Sequence, residues 1–413
     1  MKKIVNILQS DKGWVLADQL VFSCVSFLTT LVLAKYLAIK QFGEYSSVVL
    51  YLFLVLSISG ALIVSPFQIL QAKYTSSKAY IPSLFFMQLI MCAGLSAITM
   101  VIANLYTDAF SAVVNEWPLI ICLLTGFLFH DFFRRIFIAT KRPKLAFVID
   151  AVSGSLQLGW FAYTVYTTGL TFHLSLVIIA ATYIPSVLIG MISTFAIIPS
   201  VKDILFYTKQ HVESGKWLLL SSFFQWWSSN FMVALSGLFL GIKALGALRL
   251  AQTLFGVLNA LLQMVENYVL PIASKMYEKS VGSLKEYLQY TTLVSMVLVV
   301  PFVLVCLLFP QEIITRLGGV DYAEYSFAIQ GMALLYVVIF LGYPVRIAVR
   351  VFMLNRHFFI AYAVSFAFSF LTAKAIIVQW SLTGVIVALI LNQLLMLGYW
   401  QYVLAKKKFV LWK

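Results

Sequence analysis

Read for hydropathy, the chain is a succession of long apolar runs separated by short polar breaks. A helix needs about 20 mostly apolar residues to cross the hydrocarbon core of a bilayer. Twelve runs reach that length: 14–34, 46–67, 81–105, 118–139, 146–167, 174–198, 217–241, 247–272, 288–309, 325–344, 358–379 and 382–404. Strands of a membrane barrel would alternate apolar and polar residues, and these runs do not. In lipid, only a helix satisfies the backbone groups of a single segment from within, so each run predicts a spanning helix. Almost nothing separates the last two, around Gln379–Leu382, which predicts a tight hairpin.

Composition removes the alternatives to a membrane chain. Of 413 residues, 62% are hydrophobic and 11% charged, whereas soluble domains run near 45–50% apolar and about 25% charged. A water-soluble fold of this size would leave apolar patches that drive aggregation. A soluble enzyme, a nucleic-acid-binding domain and a disordered chain are excluded. The basic start Met1-Lys2-Lys3 is followed by an apolar stretch only from about Trp14, without a small-residue cleavage site. It reads as a retained first span rather than a signal peptide. Cys24, Cys92, Cys122 and Cys306 lie far apart inside apolar runs. They have neither metal-ligand spacing nor the look of a disulfide framework, so no metal and no cofactor is expected.

The net charge of +14 would suggest a nucleic-acid partner in a soluble chain, but here it reads as topology. With the N-terminus in the cytoplasm and twelve alternating spans, 23 of the 29 Lys and Arg fall in inner segments. Five fall outside (Lys35, Lys40, Lys243, Arg249, Arg316), and Lys374 lies within a span. The outer acids Glu44, Asp108, Glu116, Glu312, Asp321 and Glu324 fit the same orientation. A multi-pass chain with both termini cytoplasmic is expected.

The chain also repeats itself weakly. Ile39-Lys40-Gln41-Phe42-Gly43 after the first span corresponds to Ile242-Lys243-Ala244-Leu245-Gly246 after the seventh. Trp14 and Trp217 open those spans, Pro66 and Pro271 close the next ones, and Arg135–Lys141 aligns with Arg350–Arg356. Span n thus matches span n+6. The expected fold class is an all-α polytopic membrane protein of about 12 transmembrane helices in two six-helix lobes related by a parallel pseudo-two-fold repeat. The lobes are expected at 1–199 and 217–413. Segment 200–216, with Val201, Ile204, Leu205 and Val212 at helical spacing between lysines, reads as a cytoplasmic interfacial linker helix. Such a pair of bundles is the architecture of a carrier that holds its substrate in a cleft between them.

A charge at mid-bilayer costs about 2.5–3.5 kcal/mol on insertion scales and so marks a functional candidate. Lys35, Arg249, Lys374, Arg346 and Arg350 are candidate substrate-binding cations. Asp18, Gln19, Asp131 and Glu266 are candidates for ion coupling or for structure. Each has a plainer reading. Asp18 and Asp150 suit helix caps or partners of inner cations, Lys35 suits snorkelling to headgroups, and Arg134 and Arg135 suit topology. Arg346 and Arg350, four apart on one helix face, suit lipid phosphates as well as a substrate, and Glu266 suits pairing with Lys275 or another inner-end cation. Candidate cations match or outnumber anions, and a cationic cleft attracts an anion such as phosphate. Trp226-Trp227 offer rings for stacking on sugars.

Particular residues carry a resemblance. Trp14-Val-Leu-Ala-Asp18-Gln19, then Leu33-Ala34-Lys35-Tyr36-Leu37 and Phe42-Gly43-Glu44-Tyr45, resemble the opening of the polysaccharide (O-antigen type) lipid-linked oligosaccharide flippases. So do His130-Asp131-Phe132-Phe133-Arg134-Arg135, Thr140-Lys141-Arg142-Pro143 and Asp150. That family belongs to the multidrug/oligosaccharidyl-lipid/polysaccharide exporter superfamily. The resemblance covers the whole chain in topology and the first 150 residues in motif; Lys35 stands where the family more often has Arg. It implies an alternating-access flippase, not an enzyme, in the bacterial cytoplasmic membrane; a monomer is expected. Its cargo would be an oligosaccharide on undecaprenyl pyrophosphate, its surroundings membrane lipid, and its partners a polysaccharide polymerase and a chain-length regulator. Cavity cations would hold the pyrophosphate and an ion gradient would reset the carrier. The alternative is a multidrug or metabolite exporter of the same superfamily. A polymerase or ligase is disfavoured because the outer loops are short.

Overall fold

A computed structural model describes residues 11–74, 76–105, 114–195 and 197–412. Lys2, Lys3, Asp108 and Lys413, used in the charge argument, lie outside them, as does the Lys12 side chain. Among the described residues the regular structure is helical. The helices are α1 (Asp11–Tyr36), α2 (Ile39–Tyr74), α3 (Tyr80–Leu105), α4 (Trp117–Ala139), α5 (Pro143–Thr167) and α6 (Phe172–Thr194). The second set is α7 (Val201–Leu240), α8 (Ile242–Lys279), α9 (Val281–Leu308), α10 (Ser326–Val351), α11 (355–380) and α12 (382–406). Nine helical segments among the described residues are long and apolar enough to cross a membrane. One of them, Asn355–Lys406, turns at Ser381, where φ is 52°, and so supplies two helices. Together with α4 and α7 they make the expected twelve.

Local chemistry sets the ends. Prolines sit in the first turns of α4 and α5, where no helical donor is lost. Thr171 and Ser280 cap α6 and α9 through backbone amides three residues on. Ser200 and Asp203 exchange hydrogen bonds as a capping box at the start of α7. That box starts one unbroken helix. Segment 200–216 and the seventh span are continuous in Val201–Leu240. α6 breaks at Tyr183, before Pro185.

α2 carries a π-helical turn, Gly60–Val64, immediately before Pro66. Proline has no amide to give the carbonyl four residues back, and its ring collides there. The extra residue of the π turn absorbs that clash and leaves the Leu62 carbonyl without its helical donor. His211 Nδ1, 3.3 Å away on α7, takes its place.

The chain divides into two compact units, Met1–Phe223 and Phe224–Lys413. In unit 1, α1 lies along α5, and α4 packs against α3, α5 and α6. Gly154 lets α1 approach: a Cβ there would sit 2.4 Å from Val25. In unit 2, α10 packs in the same way against α8, α9 and the α11–α12 hairpin. α7 meets α11 through Phe224–Phe359 and a Ser228–Ser365 hydrogen bond. The six-helix order is thus repeated.

The repeat is sharpest in one turn. After α4, Lys141 is left-handed (φ 59°) and the Arg142 amide donates to Phe137 O at 2.8 Å. After α10, Met353 is left-handed (φ 54°) and the Leu354 amide donates to Val349 O at 3.0 Å. These turns lie 212 residues apart. They pair Arg134 with Arg346, three residues off the register that the sequence match of Arg135 with Arg350 gives.

Candidate functional site

Unit 1 concentrates charge where α1, α4 and α5 meet. Asp18 comes from the second turn of α1, His130, Asp131, Arg134 and Arg135 from α4, and Asp150 from α5. Arg134 holds them together. Its Nη2 donates to Asp18 Oδ2 at 2.6 Å and to Gln19 Oε1 at 3.1 Å. Its Nε donates to Asp150 Oδ2 at 2.9 Å, and its guanidinium lies over the Phe22 ring. His130 Nε2 stands 2.9 Å from Asp150 Oδ1. Asp18, His130, Asp131, Arg134 and Asp150 are all buried. Asp18 Oδ1 is buried with no hydrogen-bond partner among the described residues. Two carboxylates, one guanidinium and a histidine therefore share one desolvated site.

Beside Arg134 on α4, Arg135 Nε contacts both oxygens of Asp131, one turn back, at 2.7 and 2.9 Å. This pair differs from the first because the Arg135 side chain is 41% exposed.

Unit 2 builds a smaller cluster from α8 and α10. Arg350 Nη1 donates to Glu266 Oε1 at 2.6 Å, and Arg346 Nε lies 3.7 Å from the same oxygen. Arg346 also sits over the rings of Tyr343 and Phe358, and Phe358 stacks on Trp400. Glu266 is buried, while both arginines keep accessible surface. Here two guanidinium groups share one carboxylate.

The structure thus brings Asp18 and Gln19 together with residues assigned to topology, Arg134 above all. It separates Asp131, whose partner is Arg135. It joins Glu266 to Arg346 and Arg350, inner-end cations other than Lys275. Lys35 is exposed beside the Tyr36 ring. Lys374 is exposed between Phe370, Leu371 and Val378, which are exposed as well. Arg249 is half-buried and donates to Gln252 Oε1 at 3.0 Å. Trp226 and Trp227 pack edge-to-face, with Trp227 against Phe231 and Phe366. Reading the sequence allowed Asp18 and Asp150 to pair with inner cations but did not name Arg134 as the shared partner. A signal was present: His130 and Asp131 lie four and three residues before Arg134 on an apolar helix.

No family model matches the chain, and no curated protein matches it in sequence. Solved structures do match the fold. An inward-facing multidrug resistance MATE family transporter of the MOP superfamily aligns with a TM-score of 0.73 at 11% identity, covering 95% of this chain and 99% of that one. The lipid II flippase MurJ, inward closed, aligns with a TM-score of 0.70 at 13% identity, covering 96% and 88%. A MOP superfamily transporter from Pyrococcus furiosus, described as having a binding pocket of reversed polarity, gives 0.59 at 10% identity, covering 98% and 96%. The chain has the fold of MOP superfamily transporters.

Proposed function

We propose that this protein is an alternating-access flippase that moves an undecaprenyl-pyrophosphate-linked oligosaccharide from the inner to the outer leaflet of a bacterial cytoplasmic membrane. One observation carries the reading. Within the twelve apolar runs every carboxylate is buried: Asp18, Asp131, Asp150 and Glu266. Each lies against an arginine. The charged groups of those runs that reach accessible surface are positive: Arg135, Arg249 and Lys374. A carrier of cationic drugs needs carboxylates facing its cargo. Accessible cations attract an anion, and a lipid pyrophosphate is the anion that a membrane carrier of this fold meets.

On this reading Lys35, Arg249, Lys374, Arg346 and Arg350 meet the headgroup, and Asp18, Gln19, Asp131 and Glu266 couple ions or hold structure. The decisive experiment compares cells with and without the gene for surface glycan and for drug accumulation. Loss of surface glycan with lipid-linked repeat units held on the inner leaflet supports the flippase. Unchanged glycan with altered drug sensitivity overturns it in favour of a multidrug or metabolite exporter. That second reading is favoured by the presence of multidrug transporters among structures of this fold. Lys374→Gln and Arg249→Gln are expected to impair export while inserting normally. Wild-type export by both single variants refutes their role.

A further inference from the structure

One cavity of unit 1 meets the charged residues only at Arg135. It measures about 310 Å³ and lies between the π turn of α2, α4 and α7, lined among others by Ser57, Gly60, Ser65, Gln68, Arg135 and Ser222. Its position follows from Pro66, which forces the π turn into the cavity wall, and π turns inside α-helices recur at functional sites. A Cβ on Gly60 would meet nothing within 4 Å, so open space stands directly over that turn.

The polar groups around this space keep unused hydrogen-bonding capacity. Arg135 uses only Nε for Asp131, and among the described residues Nη1 and Nη2 have no protein partner. The same holds for the side chains of Ser65, Gln68 and Ser222. Ser57 Oγ donates to Leu54 O at 2.7 Å and keeps its acceptor lone pairs. The free end of a guanidinium is a two-pronged donor matched to phosphate oxygens. Hydroxyls and a carboxamide are matched to sugar hydroxyls. Phe53 and Leu56 close the apolar side. The volume is at the lower end of the roughly 300–1,000 Å³ typical of small-molecule sites, room for one sugar and its phosphate rather than an oligosaccharide.

We propose that this cavity binds a sugar phosphate, with Arg135 on the phosphate and Ser57, Ser65, Gln68 and Ser222 on the sugar. The inference rests on the flippase reading and deepens it by assigning the phosphate-proximal sugar of the cargo to unit 1.

The test places a reporter at the open position. In full-length protein with the exposed Cys24 and Cys122 replaced by Ala, Gly60→Cys is alkylated by a maleimide with and without three probes. These are glucose, glucose 1-phosphate and a short-chain prenyl pyrophosphoryl glucose. A phosphorylated probe near ten times its dissociation constant slows alkylation about tenfold, and glucose alone leaves it unchanged. Protection by both phosphorylated probes means that the headgroup suffices, and protection by the prenyl-linked one alone identifies a lipid source. Equal rates with all three probes overturn the proposal.

In proteoliposomes, Gly60→Leu fills the space without touching Arg135. It is expected to slow translocation of a prenyl-pyrophosphate oligosaccharide about tenfold, the equivalent of ~1.4 kcal/mol. Gly94→Leu, also in open space but on α3, is expected to leave it unchanged. If wild-type protein moves the cargo and Gly60→Leu moves it equally fast, the site fails and the flippase stands. If wild-type protein moves no prenyl-linked glycan, the flippase reading fails first.

Discussion

Arg134 shows how much one side chain can carry. It reaches three acceptors on two other helices and lies over an aromatic face, all in a desolvated place. Removing one partner of a buried ionic network strands the other charges, at a cost of about 3–5 kcal/mol. Arg134→Met is therefore expected to lower the thermal midpoint of the purified protein sharply, since Asp18 and Asp150 remain buried. Arg134→Lys should restore only part of the loss, because one ammonium cannot reproduce a planar fork spanning both carboxylates. An unchanged midpoint for Arg134→Met would contradict the role given to the network. Only part of this was legible in the local sequence: Asp18 and Asp150 read as partners of inner cations, but an arginine near an inner helix end reads as topology. The partners lie 116 residues before Arg134, in Asp18, and 16 after it, in Asp150. Only the α1–α5 pairing brings them together.

At the scale of elements, the instructive case is α7 against the π turn of α2. Lys202, Lys209 and Lys216 interrupt the apolar pattern and make 200–216 look separate from the seventh span. The backbone ladder runs through them, because lysines on an exposed face cost a helix nothing. What fixes the first turns of α7 is contact with α2 and α3. His211 is fully buried, with Nδ1 at Leu62 O and Nε2 at Tyr80 Oη, 2.8 Å away. Tyr207 packs on the same Tyr80 ring. Gly215 allows the approach, since a Cβ there would lie 2.7 Å from the Ala61 carbonyl oxygen. That oxygen is backbone and cannot step aside, so Gly215→Val is expected to lift the helix and to speed hydrogen exchange across 201–216. Burial lowers the His211 pKa from 6.5 to about 4. The docked helix then binds fewer protons than the undocked one between those values. Docking is strongest above about pH 6.5, weakens by about 1.4 kcal/mol per unit as pH falls, and levels off near 4. As pH falls through that window, protection factors in 201–216 (exchange corrected for the intrinsic base-catalysed rate) should fall, and His211→Phe should remove this pH dependence. Protection factors that are flat with pH in the wild type would refute this account.

Across the whole molecule the fold was more legible than the chemistry. Twelve apolar lengths, a hairpin at Ser381 and a repeat of six helices follow from hydropathy and spacing, which act locally along the chain. The pairing of charges depends on which helices touch, and the register of the repeat depends on a turn. Once the turns after α4 and α10 set that register, Arg134 and Arg346 become the same residue of two lobes with opposite surroundings. Arg134 faces two carboxylates, one of them with an unpartnered buried oxygen. Arg346 and Arg350 share a single Glu266 and keep accessible surface. The first arrangement has room for a proton or a small cation, the second for an anion. If the proposed flippase reading holds, a division of labour is expected that kinetics can separate. In proteoliposomes, Asp18→Asn is expected to remove the dependence of transport on the ion gradient with little change in KM. Arg350→Gln is expected to raise KM about tenfold, a loss of ~1.4 kcal/mol of cargo binding, and to leave the ion dependence intact. If the two variants alter the same parameter, the lobes do not divide the work, and the repeat has diverged in sequence without diverging in role.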